Sequence, residues 1–344
     1  MKTQKWISKT VFGLSFFMVC LLSNVANATV YRVNNSVTEQ PGIVYNQVTT
    51  AIAAASAGDT LYIEGSGTNY ANFTVNKQLF IFGPGYFLSQ NTGLQANPNV
   101  ASTSQITIDN SGGGTKVSGM STGNLFVGAP NCVLERNYIS GRLRLGYNTG
   151  QDVTNTVIKQ NFFAYVGSSS TPAIDWADVV SRGSIFIANN IIEKFISLNG
   201  SGASGVFINN TIRMAFTGWS VNTPGFQVVN NVITRGLFTN NNNNSFFNNI
   251  GNGTQFPAGN GNQQNVTETS VIQFGIGSTD GQFQIVAAGP AEGAGQTGED
   301  CGAFGGADSY RLSGISSIPT IYELVAPSSG SNSIDVTIST RSNQ

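Results

Sequence analysis

Ile187-Ala-Asn-Asn190-Ile-Ile192, Phe207-Ile-Asn-Asn210-Thr-Ile212 and Val228-Val-Asn-Asn231-Val-Ile233 repeat one pattern at intervals of 20 and 21 residues. The same pattern extends upstream through Leu134-Glu-Arg-Asn137-Tyr-Ile139 and Ile158-Lys-Gln-Asn161-Phe-Phe163, and downstream to Phe246-Phe-Asn-Asn249-Ile-Gly251. In all six segments the residue three before the last asparagine is apolar and the residue just before it is polar. A period near 20 residues, built from short runs rich in β-branched and aromatic residues, predicts a stack of β coils rather than helices. One such unit cannot bury its apolar face alone, so neighbouring coils must supply the core. Asparagine at a fixed corner suits this plan. It tolerates a left-handed backbone, and its amide can bond the amides of the coils on either side. Asn137, Asn161, Asn190, Asn210, Asn231 and Asn249 are therefore expected to form a structural ladder.

Composition agrees with a packed β chain. Of 344 residues, 40% are hydrophobic and only 10% charged, which excludes a disordered chain and a charge-rich helical bundle. There is no histidine. Ser-His-Asp and Cys-His catalysis and His-ligated zinc are excluded with it. The first 28 residues read as a secretory signal: Lys2, Lys5 and Lys9 precede the apolar run Val11–Leu22, and Ala26-Asn27-Ala28 offers a cleavage site. No transmembrane span is expected, because the run is too short and no later stretch is longer. Loss of three lysines takes the net charge from −1 to −4, so the mature chain is a poor ligand for nucleic acid. Cys132 and Cys301 remain; export would permit a disulfide, and two packed thiols are the plainer reading.

Further stretches complete the pattern. Val48–Ala57 is alanine-rich and amphipathic, Phe73–Gly83 reads as two strands and a turn, and Asp300–Gly306 and Pro319–Tyr322 read as a closing segment. With the asparagine repeat, these resemble the right-handed parallel β-helix proteins of the pectate-lyase-like superfamily, most of all a secreted Bacteroidota type. The resemblance covers nearly all of the mature chain. It implies an all-β fold with a short N-terminal capping helix. The expected organisation is a signal peptide at 1–28, a cap and incoming strand at 29–66, coils at 67–288, and a closing segment and tail at 289–344. The runs 240–244 and 251–265 are expected to be loops, and Ser333–Ile338 a last strand.

Two groups of residues are candidates for chemistry. β-Helix lyases place acidic calcium ligands and an Arg or Lys base on one face, and Asp175, Asp178 and Arg182 form the tightest acidic cluster here. Two carboxylates and a cation could act as acid and base or bind Ca²⁺; a solvated loop with a turn-forming Asp is the plainer reading, and the catalytic role the alternative. The second group follows the ladder: Glu193, Lys194, Arg213 and Arg235 on successive coils, with Trp219 between them. Register predicts a surface strip with a Glu193–Arg213 pair, Lys194 and Arg235 left to meet an acidic polysaccharide, and Trp219 stacked on a sugar or packed under a loop. A bare ion-pair ladder is the alternative.

These readings leave two function classes. One is a secreted or cell-surface solenoid without catalysis, structural or glycan-binding, that needs no cofactor. The other is a polysaccharide lyase or glycoside hydrolase, with calcium implied only for a lyase. Self-association through an incompletely capped end is a further expectation.

Overall fold

A computed structural model describes residues 28–343 except 168–169, 178, 201, 240–242 and 327–334. The proposed signal segment and Asp178 thus lie outside the described residues. The chain is all-β and dominated by two long parallel sheets, of 11 and 13 strands, with two α-helices among the described residues. This architecture is consistent with a parallel β-helix.

Each coil contributes to three faces. The first is the 11-stranded sheet, where Leu61, Ile81, Val117, Leu134, Ile158, Ile187, Phe207 and Val228 follow one another in register. All are completely buried, and the last five are the apolar positions three before Asn137, Asn161, Asn190, Asn210 and Asn231. The 13-stranded sheet supplies the other two. Its strand Tyr138–Leu145 pairs through Tyr138 and Ile139 with Phe162–Phe163, and through Leu143–Leu145 with Ile174–Trp176. Beyond that strand the sheet divides into two branches, here called the second and third faces. Period-2 alternation turns Ile139, Phe163, Ile192, Ile212 and Ile233 inward on the second face, and Leu143, Ile174, Ile196 and Val221 inward on the third.

The corner between the first and second faces carries the asparagines. Each side-chain oxygen accepts two bonds from the preceding asparagine, as when Asn190 Oδ1 takes Asn161 N at 2.9 Å and Asn161 Nδ2 at 3.0 Å. The pattern runs unbroken from Asn137 to Asn249 and continues to Asn262, whose oxygen accepts Asn249 N at 2.9 Å. The stretch 251–265, expected to be a loop, thus holds one more rung, with Phe256 fully buried against Phe238 and Phe246. A second expectation needs correcting. The ladder asparagine is not the left-handed residue; the polar residue before it is. Arg136, Gln160, Asn189, Asn209, Asn230 and Asn248 have φ between 52° and 56°.

That division of labour has a consequence. The left-handed residue turns its side chain away from the core, toward a strap formed by the C-terminal part of the chain. Asn248 Nδ2 donates to Ala294 O at 2.9 Å, Asn189 Nδ2 to Gly305 O at 2.8 Å, Gln160 Nε2 to Ser309 O at 2.8 Å and Arg136 Nη1 to Ile315 O at 3.0 Å. Ladder order falls as strap order rises, so the strap runs back along the stack. Beneath it the outward residues of the second face, among them Phe162, Ile191, Val232 and Ile250, pack with Val271, Ile272, Phe283, Ala303 and Tyr310 in a second apolar core. The strands of both sheets end by Gly251, and the four-residue helix Glu268–Val271 already belongs to the strap. The strap finishes in an antiparallel hairpin of Thr320–Val325 with Thr337–Arg341, later than the strand expected at Ser333–Ile338.

At the other end, the helix Val48–Ala54 buries Val48, Ala51 and Ile52 in the first core. Cys132 and Cys301 are buried free thiols, and burial pushes both up to about 12, so neither is a nucleophile at neutral pH.

Candidate functional site

The strap covers the second face and leaves the third face open. Outward positions there form one column across successive strands: Thr74, Thr107, Phe126, Arg144, Asp175, Ser197, Asn222 and Thr239. At parallel-strand spacing the column is roughly 34 Å long. Its N-terminal end runs into a recess of about 340 Å³ between the helix Val48–Ala54 and the strands carrying Thr74 and Thr107.

Charge gathers at the middle of the column. Asp175 lies on Ile174–Trp176 with its side chain 13% exposed, between Arg142 Nη1 at 3.5 Å and Arg144 Nη1 at 3.9 Å. Both arginines come from the strand Tyr138–Leu145, where Leu143 and Leu145 point inward and so direct Arg142 and Arg144 outward. Arg142 lies over the Phe126 ring at 5.7 Å, and Phe126 stacks on Tyr147 at 6.0 Å. Arg144 Nε, Asp175 Oδ1 and Asn222 Oδ1, all on this column, are buried and have no hydrogen-bond partner among the described residues. Such groups are costly to leave unmet, so the column has polar capacity that the chain itself does not use.

Lys194 sits behind this cluster. From the next coil Lys194 reaches back to donate to Gly141 O and, at 3.0 Å, to Thr171 Oγ1. It is completely buried and was expected on the surface strip, so that expectation is corrected. Its pKa is lowered from 10.5 to about 8, chiefly by burial and further by Arg142, with Asp175 opposing both. Burial likewise raises the Asp175 carboxyl, against the opposing pull of Arg144 and Arg142.

These shifts have opposite signs in stability. Between pH 8 and 10.5 the unfolded chain holds a proton on Lys194 that the folded chain has lost, so stability from this residue rises with pH there. Asp175 acts in acid: above its ordinary value and up to its raised one the folded chain holds the extra proton, so stability falls as pH rises. Urea unfolding at about pH 7.5 and about pH 9.5 is expected to show the wild type gaining about 2 kcal/mol relative to Lys194→Met. Equal pH dependence in the two proteins would show that the buried amine is not strained.

The other expected residues are dispersed. Arg182 lies over Trp176 at 5.3 Å and donates to the carbonyls of Ala177 and Asn199; no bond joins it to Asp175 among the described residues. The Glu193–Arg213 pair does not form. Arg213 pairs with Glu268 of the strap at 2.9 Å and lies over Phe274, while Glu193 accepts Tyr165 N at 3.0 Å. Arg235 is register partner to Arg213 and has no ion pair among the described residues. Trp219 packs with Tyr165, Phe195 and Phe216 and rests against the first core. Glu193, Lys194, Arg213, Trp219 and Arg235 therefore do not make one strip.

Arg142 and Arg144 are the functional candidates that the sequence reading missed. The signal was Arg142-Leu-Arg-Leu145, a period-2 run that puts two cations side by side on one face. Among the described residues, no group of three or more His, Cys, Asp or Glu side chains is placed to hold a metal. None of their helices is long and apolar enough to cross a membrane. No family model matches the chain, and no curated protein matches it.

Proposed function

We propose that this chain is a secreted or cell-surface right-handed parallel β-helix of the pectate-lyase-like superfamily that binds an acidic polysaccharide along its third face without cleaving it. Residues 1–28 act as the signal peptide, and the helix Val48–Ala54 serves as the N-terminal cap. Right-handed winding follows from the strong preference of parallel crossovers. The observation that carries the binding reading is the pair Arg142 and Arg144, held outward on one strand against a single half-buried carboxylate. Two cations facing one anion leave net positive charge, and the guanidinium fork suits a sugar carboxylate or sulfate. Phe126 and Tyr147 beside them offer ring surface for the apolar side of a sugar. A column of polar positions roughly 34 Å long matches a polymer better than a small molecule.

The catalytic alternative draws on one observation, that burial raises the Asp175 carboxyl, the direction a general acid needs. Its partner base would have to come from beyond the cluster, because Lys194 is fully enclosed behind it.

Affinity electrophoresis of purified residues 29–344 on polygalacturonate, alginate and neutral glucans tests both. Retention on the acidic polymers is expected, weakened at least tenfold, about 1.4 kcal/mol, in Arg142→Gln/Arg144→Gln and by raised salt. No retention, or equal retention of the double variant, would sink the binding reading. Appearance of new reducing ends or unsaturated product, abolished by Asp175→Asn, would replace it with the catalytic one.

A further inference from the structure

The first described strand, Val30–Val33, begins beside a buried carboxylate. Asp59 is 5% exposed and lies in the turn between the helix Val48–Ala54 and the strand Thr60–Ile63. Its Oδ2 accepts Ser56 N at 2.7 Å, which ties it to the end of the helix. Its Oδ1 accepts Thr29 N, also at 2.7 Å, one residue before the strand. Thr29 O in turn accepts Thr60 N at 2.9 Å, and Val30 to Val33 continue in parallel register with Thr60 to Ile63. Among the described residues Asp59 makes no ion pair.

The charged and titratable groups on the surrounding elements are committed elsewhere. Lys77 lies against the same helix end, and its Nζ donates to Ile52 O at 3.0 Å and Ala55 O at 2.8 Å. Arg32 and Glu64 pair with each other at 2.6 Å at the far end of the two strands. Tyr31 donates its hydroxyl to Ala54 O at 3.3 Å; burial first, then Asp59, raises its phenol, and burial raises that of Tyr62, so both stay neutral. A carboxylate as enclosed as Asp59 is costly unless its charge is matched. Removal of residues 1–28 would supply the match. Hydrolysis of the Ala28–Thr29 peptide bond consumes one water and leaves a carboxylate on Ala28 and an ammonium on Thr29. That ammonium occupies the place of the amide that already donates to Oδ1. Ala28 and Thr29 are both exposed, so loss of Ala28 empties no cavity and the remaining ammonium protons keep their water.

We infer that Asp59 is the counter-ion of the processed chain's N-terminal ammonium, so that removal of the signal peptide turns an amide–carboxylate bond into an ion pair. The pair rests on the cleavage after Ala28 proposed above. It fastens the first strand of the 11-stranded sheet to the end of the N-terminal helix, and the mature chain is held there more firmly than its precursor.

Export of the full chain from a bacterial host, followed by N-terminal sequencing of the released protein, is expected to show Thr29 first. Two purified proteins then test the pair, one beginning at Thr29 and one at Ala28, with the same charge displaced by one residue. NMR titration of the α-amine is expected to place it about one pH unit above the ordinary value of about 7.7–8.0 in the first protein. At pH 6 that protein should unfold about 2 °C higher than the second. The folded chain holds the raised proton longer, so the advantage is complete below about pH 7.7 and fades through the raised value; the two midpoints should meet by about pH 10. Asp59→Asn placed in both proteins should abolish the difference between them, whatever its own cost to stability. A first residue other than Thr29 would remove the cleavage reading and the ion pair with it. Thr29 found first, with an amine at its ordinary value or equal midpoints at pH 6, would overturn the ion pair alone.

Discussion

Replacing Asn190 by alanine is expected to cost about 3–5 kcal/mol of stability. Asn190 is completely buried at the centre of the ladder. Its Oδ1 accepts Asn161 N and Asn161 Nδ2, and its Nδ2 donates to Ile158 O and Asn210 Oδ1, both at 2.9 Å. Alanine removes all four bonds. Asn161 N–H loses its acceptor, and the other three groups each lose a bond in a place water does not reach. Aspartate does not rescue the site, since it cannot donate and would place an unpaired charge in the stack. Asn262→Ala, at the half-exposed last rung, should cost only about 1 kcal/mol, because solvent can replace its bonds. Since each coil of a solenoid touches only its neighbours, loss of hydrogen-exchange protection at position 190 should centre on the coils carrying Asn161 and Asn210. Denaturant unfolding of both variants decides the matter. An Asn190→Ala protein within 1 kcal/mol of wild type would mean that the ladder is a by-product of stacking rather than a source of stability.

The ladder was legible because every coil must solve the same burial problem, so the solution recurs in sequence. Its geometry was only half legible. Asparagine suits both a left-handed turn and an amide stack, and four of the six segments have two in a row. Segments with Arg136-Asn137 and Gln160-Asn161 separate the roles, since φ is positive at Arg136 and Gln160. The strap was not legible as a strap. It has no periodicity, and its bonds join residues as far apart as Arg136 and Ile315 or Asn91 and Ser313.

The candidate site shows the same limit. Asp175 stood out for its neighbours in sequence, Asp178 and Arg182, yet its ion partners come from the preceding coil, 33 residues before it in the case of Arg142. Coils of 24 and 29 residues meet here, and nothing in the sequence says which loop absorbs the difference. Phe163 and Ile174 lie eleven residues apart where their register partners Ile139 and Leu143 lie four apart, so the extra residues fall between the second and third faces of this coil. A count of residues from the ladder asparagine therefore misplaced Lys194 on the surface, although the same count placed Ile192 correctly in the core.

Asp280→Ala is expected to release the strap from the N-terminal coils, with a loss of about 3–5 kcal/mol in the strap's attachment. Asp280 is completely buried and joins three segments. It accepts Ser313 N at 2.6 Å, Asn91 Nδ2 at 2.9 Å, Ser278 Oγ at 2.9 Å and Tyr310 OH at 3.3 Å. Tyr310 and Tyr86 share a further bond at 2.7 Å, and burial raises both phenols well above their ordinary value, so they stay protonated as donors. The backbone is committed here too. Ser313 has φ 60°, and a Cβ on Gly314 would lie 2.3 Å from the Tyr86 ring and 2.6 Å from Arg136 O, so no other residue fits without displacement. Alanine at 280 leaves four donors facing an empty site, and a strained turn then has little to hold it. The two apolar cores separate the consequences. The first core lies inside the coils and should keep its ellipticity and cooperative unfolding, while the second lies between strap and second face and should open. Limited proteolysis is expected to cut Asp280→Ala within the strap under conditions where the wild type is intact, and to leave the coils whole. Resistance equal to wild type would place the strap's attachment in the column of Gln160, Asn189, Asn230 and Asn248 alone. Loss of the entire fold would mean that strap and coils are a single cooperative unit, with the second core as necessary to the stack as the first.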